Sequence, residues 1–214
     1  MKPYKYWEKI LIKELYRLWN HSQKFLRCHG PEHHIRVWKT AEPFGRKKAA
    51  DMGVLLASCL LHDVSAFNRM TPKGHETVSA HMAQKVLKRI GFPKEKIPAV
   101  LSAISEHRSD SKVKNSLEGR IFKAFDKIDA FGPIGVYRIL LPLSIRGYSL
   151  EDIIGWAFDR QRLVKKWKSV TFPELRKKYR PRYDYTVDYF KQLKAELGLK
   201  KVKTVYSEKK VFAR

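Results

Sequence analysis

The chain is poor in acid. Against 45 lysines and arginines stand only 21 aspartates and glutamates, leaving a formal charge of +24 over 214 residues. That scarcity excludes the balanced surface of an ordinary soluble domain. It favours polyanionic partners such as phosphates, nucleotides or nucleic acid. Cysteine is also scarce. Cys28 and Cys59 alone cannot build a disulfide framework, and neither has a cysteine partner at zinc-motif spacing. A reduced, cytoplasmic protein is the expectation. No stretch of about 18 apolar residues occurs, so no membrane-spanning helix is expected. Residues 1–8 lack the apolar core of a signal peptide. Strand signals are few, and there is no internal repeat or low-complexity segment.

What the chain does have is helical periodicity. Trp7, Ile10, Leu11, Leu15, Leu18 and Trp19 share one helical face. After a break at His29-Gly30-Pro31, a second helix is predicted over 32–41, ended by Glu42-Pro43-Phe44-Gly45, and a third over 46–62. Asn68, Pro72 and Gly74 mark a loop. Further helices are predicted over 75–90 (on Val78, Met82, Val86 and Ile90), 94–107, 117–131 and onward to about 145, with a polar loop over 109–116. Beyond Gly147 two less apolar helices are predicted, over 150–167 and 173–197. Residues 159–214 carry 18 basic against 6 acidic residues, half of the net excess in a quarter of the chain. From Lys200 onward the pattern allows a basic arm or a short strand on Val202, Thr204 and Val205. The whole reads as all-α: residues 1–146 form one helical bundle and 147–214 a basic, mainly helical C-terminal extension.

The most informative residues are His62-Asp63, which close an apolar run, Met52 to Leu61, that reads as a fully buried helix. A buried carboxylate must be paired, neutralised or metal-bound. An isolated dipeptide of this kind is more often a turn cap beside a satisfied histidine, but here it has company. His33 opens the second helix. His107 continues the stripe of Val100, Ala103 and Ile104, and Asp126 lies one turn after Phe122. Ionisable groups on the inward faces of several helices suggest convergence on a cation. Two imidazoles and two carboxylates suit a divalent transition metal (Mn²⁺, Fe²⁺, Co²⁺, Ni²⁺ or Zn²⁺, with Mg²⁺ also admissible). Such an ion with open positions activates water and polarises a phosphoryl oxygen.

The order of these residues resembles the HD-domain phosphohydrolase superfamily, in particular its small stand-alone hydrolases. His29 to Ala41 matches the pattern H-x-x-x-H-x-x-R-V-x-x-x-A. Leu61-His62-Asp63 matches L-H-D, and Ile104 to His107 matches I-x-x-H. Phe125 to Arg138 is similar to A-D-x-L-D-A-x-G-x-x-G-x-x-R. The match spans about half the chain. It implies an all-α HD-domain bundle with His33, His62, Asp63 and Asp126 as metal ligands, and hydrolysis of a phosphoester or phosphoanhydride. Members act on nucleotides, cyclic nucleotides, alarmones and nucleic acid. The chain departs from the pattern in having Val64 to Asn68 where relatives carry an acidic or glycine-lysine stretch. It also has Ala124 where close relatives have aspartate, so no general acid is fixed by the match.

Other residues divide between roles. His107 is a candidate second-metal ligand or proton donor to a leaving oxygen. Arg36, one turn after His33, either grips phosphate or pairs with Asp129 or Glu32. Lys127 is open to the same alternatives. Arg138 reads as structural, and Asp129 as a residue that orients a ligand or meets a sugar hydroxyl. His29 either lines the pocket or belongs to a plain turn. His75 and His81, six residues apart, point about 120° from one another and cannot both point at one ion without help; the plainer reading is one histidine behind the ligands and one at the surface. Trp156, Trp167, Tyr179, Tyr183, Tyr185 and Tyr189 are either the core of a basic helical pair or stacking platforms for single strands. The leading expectation is hydrolysis of a nucleotide or related small phosphate ester. The alternatives are a single-strand nuclease with the same centre, or a nucleic-acid-binding protein with a vestigial one.

Overall fold

A computed structural model describes residues 2–23, 27–68, 74–107, 116–158 and 162–199. Among them are ten α-helices and no strand: α1 (Tyr4–Asn20), α2 (Pro31–Lys47), α3 (Met52–Leu61), α4 (His75–Arg89), α5 (Ile97–Ser105), α6 (Leu117–Ile128), α7 (Gly132–Ile145), α8 (Leu150–Phe158), α9 (Arg162–Lys168) and α10 (Pro173–Glu196). The protein is all-α, as its periodicity predicts. No single described helix is long and apolar enough to cross a membrane. The predicted loop over 109–116, apart from its last residue, and the arm from Lys200 onward lie outside the described residues. The chain divides into two compact units between Asp126 and Lys127.

In the first unit α3 is the central helix. Every residue from Gly53 to Leu61 is buried, and α1, α2 and α5 pack around it. A helix that is apolar all round needs such surroundings. Asp51 caps it, accepting from the Gly53 and Val54 amides at 2.9 and 3.1 Å. This cap corrects the predicted start at residue 46. Lys48 to Ala50 instead form a turn in which Ala49 has a φ of 54°.

The predicted end of α2 at residue 41 is likewise overturned. The helix continues through Pro43, which is exposed, to Lys47. Proline there removes one amide donor, and the carbonyl it leaves unpaired is on the wet side of the helix. The face opposite carries Val37, Trp38, Ala41 and Gly45, all buried. A Cβ at Gly45 would come within 2.4 Å of the Leu55 side chain, so glycine permits the close approach of α2 to α3.

The second unit contains α7 to α10. Of the segment predicted as one helix over 150–167, α8 and α9 are described and contact each other, and residues 159–161 between them lie outside the described residues. Phe131, Trp167 and Tyr183 pack together, with the last two stacked at 5.1 Å. The start of α7 is tied to α10: the Gly132 amide donates to Thr186 Oγ1 at 2.8 Å, and that hydroxyl donates to the Arg182 carbonyl.

Candidate metal centre

Three elements of the first unit bring His33, His62, Asp63 and Asp126 together. Gly30 in extended conformation and Pro31 at the first helical position start α2 just before His33. α3 ends at Leu61, so His62-Asp63 occupy the turn into the short 3₁₀ segment Val64–Phe67. Asp126 is on α6. All four are more than nine-tenths buried, His62 completely.

The geometry suits a cation. His62 Nδ1 meets the Cys59 carbonyl at 3.0 Å, which places a proton on Nδ1 and leaves the Nε2 lone pair facing inward. That Nε2 lies 3.0 Å from His33 Nε2, about the separation of two nitrogens sharing an ion at roughly 2.1 Å. Asp126 Oδ1 is 3.6 Å from both nitrogens. Asp63 Oδ2 is 3.6 Å from His62 Nε2.

The other Asp63 oxygen, Oδ1, is buried without a hydrogen bond. It has His107 Nε2 at 3.5 Å and His75 Nε2 at 3.6 Å. His107 repeats the His62 arrangement, its Nδ1 meeting the Ile104 carbonyl at 2.6 Å. Two groups result, His33/His62/Asp63 and Asp63/His75/His107, and each could hold a metal ion. Asp63 belongs to both.

Electrostatics follow from this crowding. Burial alone would push the Asp63 carboxyl up, but the imidazoles of His62, His107 and His75 outweigh it and hold the group well below the usual carboxylate value. Burial pushes His62 down, yet Asp63 and Asp126 raise it above the ordinary imidazole value. Asp63 is therefore ionised at any physiological pH, as a ligand must be.

The remaining sequence candidates are placed as follows. His29 Nε2 lies 4.0 Å from Asp63 Oδ2, and its Nδ1 lies 3.2 Å from Cys28 Sγ. Arg36 is half-buried on α2, one turn after His33, and Lys127 is buried directly after Asp126. Asp129 accepts a 2.9 Å hydrogen bond from Arg138, and both are buried. His81 is solvent-exposed on α4, the surface member of the His75/His81 pair. His75, at the first position of that helix, faces Asp63, and six residues of helix turn His81 away.

Two residues escaped the sequence reading. His34 is completely buried against His62, with ring centroids 4.7 Å apart, and neither of its nitrogens is hydrogen-bonded. Burial and the neighbouring imidazoles hold it well below the ordinary value, so it is neutral. Lys123, one turn before Asp126, is 7% exposed. Its flanking Phe122 and Ala124 disguise it as a surface residue of an amphipathic helix.

Residues 31–130 match the HD domain family model. Residues 31–130 thus form an HD domain. The chain is 23% identical over 175 residues to the uncharacterized Bacillus subtilis protein YpgQ, spanning 77% of this chain and 83% of that one. The crystal structure of YpgQ in complex with ADP superposes with a TM-score of 0.62 at 21% identity, over 87% of this chain and 96% of YpgQ. An HD-superfamily hydrolase from Bacillus thuringiensis superposes at 0.68 and 18% identity, over 92% and 100%. At these identities the solved structures establish a common fold.

Proposed function

We propose that the protein is a metal-dependent phosphohydrolase acting on a nucleotide or a related small phosphate ester. The observation that carries this reading is the meeting of His33, His62, Asp63 and Asp126 around a point where two imidazole lone pairs and two carboxylates converge. These four side chains would hold a divalent transition ion, which when bound supplies Lewis-acid activation of water and of a phosphoryl oxygen. Asp63 and Asp126 balance the ion's charge. The Cys59 carbonyl keeps His62 in the tautomer that leaves Nε2 bare.

His107 holds a proton at Nδ1 against Ile104 and presents Nε2 to Asp63. It is assigned either to the second group around Asp63 or to protonating the leaving oxygen. Arg36 and Lys127 are assigned to the phosphate charge, and His29 to the rim near Asp63. A nucleotide substrate is supported by the ADP complex of YpgQ and by the basic character of the chain.

The test is a panel of nucleoside di- and triphosphates, phosphomonoesters and labelled single strands, assayed with Mn²⁺ on stripped and reloaded protein. Phosphate release from a nucleotide, reduced more than about a hundredfold by Asp63→Asn, is expected. Undiminished turnover in that variant overturns the assignment. Strand cutting without nucleotide turnover replaces it with the nuclease reading.

A further inference from the structure

Helix α10 presents two unlike faces. On one, Arg180 pairs with Asp184 at 2.7 Å and Lys191 with Asp188 at 3.1 Å, so these two cations have carboxylate partners. On the other, Lys178, Arg182, Tyr185 and Tyr189 recur at i, i+4, i+7 and i+11. At 100° per residue these four fall within one narrow stripe; between Lys178 and Tyr189 no acidic residue shares it, Glu174 and Glu196 standing on the same side only beyond its two ends.

The stripe is ordered before any partner arrives. Lys178 Nζ and Arg182 Cζ lie 5.3 and 5.2 Å from the centroid of the Tyr179 ring. Cation–π attraction to one ring fixes both heads without neutralising either. The Arg182 stem runs over Gly132, where a Cβ would meet its Cγ at 3.3 Å. Neither cation has a carboxylate partner among the described residues. Both are exposed, and Tyr185 is 47% exposed.

We propose that this stripe is a docking surface for single-stranded nucleic acid, with backbone phosphates on Lys178 and Arg182 and bases stacked on Tyr185 and its neighbour Tyr189. Charge complementarity selects a polyanion. The exposed ring interleaved with cations selects one that carries flat faces, which an acidic peptide lacks and a duplex hides in its stack. From Lys178 to Tyr189 the helix rises about 16 Å, the length of about five stacked nucleotides at roughly 3.4 Å each. The local excess of 18 basic over 6 acidic residues in 159–214 adds long-range attraction. The surface is independent of the metal-centre reading.

Anisotropy of fluorescein-labelled U12 with the full chain, in EDTA to prevent cleavage, tests it. Binding is expected to weaken with salt. The double variant Lys178→Gln/Arg182→Gln should bind about tenfold or more weakly at low salt and lower the slope of log K against log salt by about 1.4. Tyr185→Ala should lose about tenfold with the slope unchanged. Lys9→Gln/Lys13→Gln removes the same charge from exposed positions on α1 and should cost less than about threefold. Circular-dichroism melts verify that each variant is folded. Equal losses from the two double variants, failure of U12 to bind, or equally effective competition by a glutamate dodecamer each overturn the proposal.

Discussion

The Nε2 atoms of His33 and His62 face each other at 3.0 Å, and Asp126 Oδ1 lies 3.6 Å from both. Residues 29 and 93 positions apart in the chain thus aim their electron-rich atoms at one point. Facing lone pairs repel unless a proton or a cation stands between them. A divalent ion should therefore raise the stability of the folded state as well as its activity, because it binds the assembled site and not the unfolded chain. At a hundredfold excess over Kd the gain is about 2.7 kcal/mol. Differential scanning fluorimetry should show a higher Tm with Mn²⁺ than with EDTA. In His62→Ala the two melting curves should coincide.

Asp63 stands in both ligand groups, with Oδ2 toward His62 and Oδ1 toward His75 and His107. The second prediction exploits that sharing. His75→Ala/His107→Ala should retain one ion per chain where the parent binds two, whereas Asp63→Ala should retain neither at stoichiometric loading. Metal analysis after gel filtration reads the ratio directly. An unchanged ratio in the His75/His107 variant would assign those imidazoles to proton transfer alone.

Much of this centre was legible because its ligands lie on strongly apolar helices. In such surroundings His62, Asp63, His107 and Asp126 stand out as expensive unless used. Helix boundaries were less legible, for local reasons. Pro43 reads as a stop, yet its exposed side tolerates the lost hydrogen bond and the buried face carries α2 onward. Asp51 was passed over as a cap because the following apolar run drew the start backward. On α4 the buried face is rotated from the predicted one. Val78 is 42% exposed, while Ser79 is buried and donates to Ser65 Oγ at 2.8 Å. A buried serine pair carries no hydropathy signal. Lys123 and His34 were missed for the complementary reason, since neither the flanks of the one nor the doublet of the other distinguishes a buried side chain from an exposed one.

The cap of α3 yields a pH prediction. Burial pushes the Asp51 carboxyl up, but the hydrogen bond from Lys96, at 2.9 Å, and those from the Val54 and Gly53 amides prevail. The group is held below its ordinary value of 3.8. A carboxyl depressed in the folded state stabilises above its unfolded pKa and loses that contribution as pH falls through the folded one. The side chain is 37% exposed, so solvent screens the pair and most of its worth is the cap, about 1 kcal/mol. Asp51→Ala should lower stability by that amount at pH 7. The difference from the parent should shrink as urea titrations are carried below pH 4.

The glycines after Asp129 give the sharpest stability test. Gly132 has a φ of +81°, which by itself disfavours any side chain. Gly135 lies inside α7, where alanine should be favoured over glycine by about 1 kcal/mol. Yet a Cβ at Gly135 would stand 2.3 Å from the Ala130 carbonyl carbon and 2.4 Å from its oxygen. Backbone cannot swing aside as the Leu55 methyl opposite Gly45 can. Gly135→Ala should therefore destabilise by about 3 kcal/mol or more despite the helical preference. Gly45→Ala, which has only a terminal methyl to displace, should cost nearer 1 kcal/mol. Urea midpoints for the two variants decide between steric approach and helix propensity. If Gly135→Ala proves neutral or stabilising, the α7 glycine is there for a reason other than the closeness of Ala130.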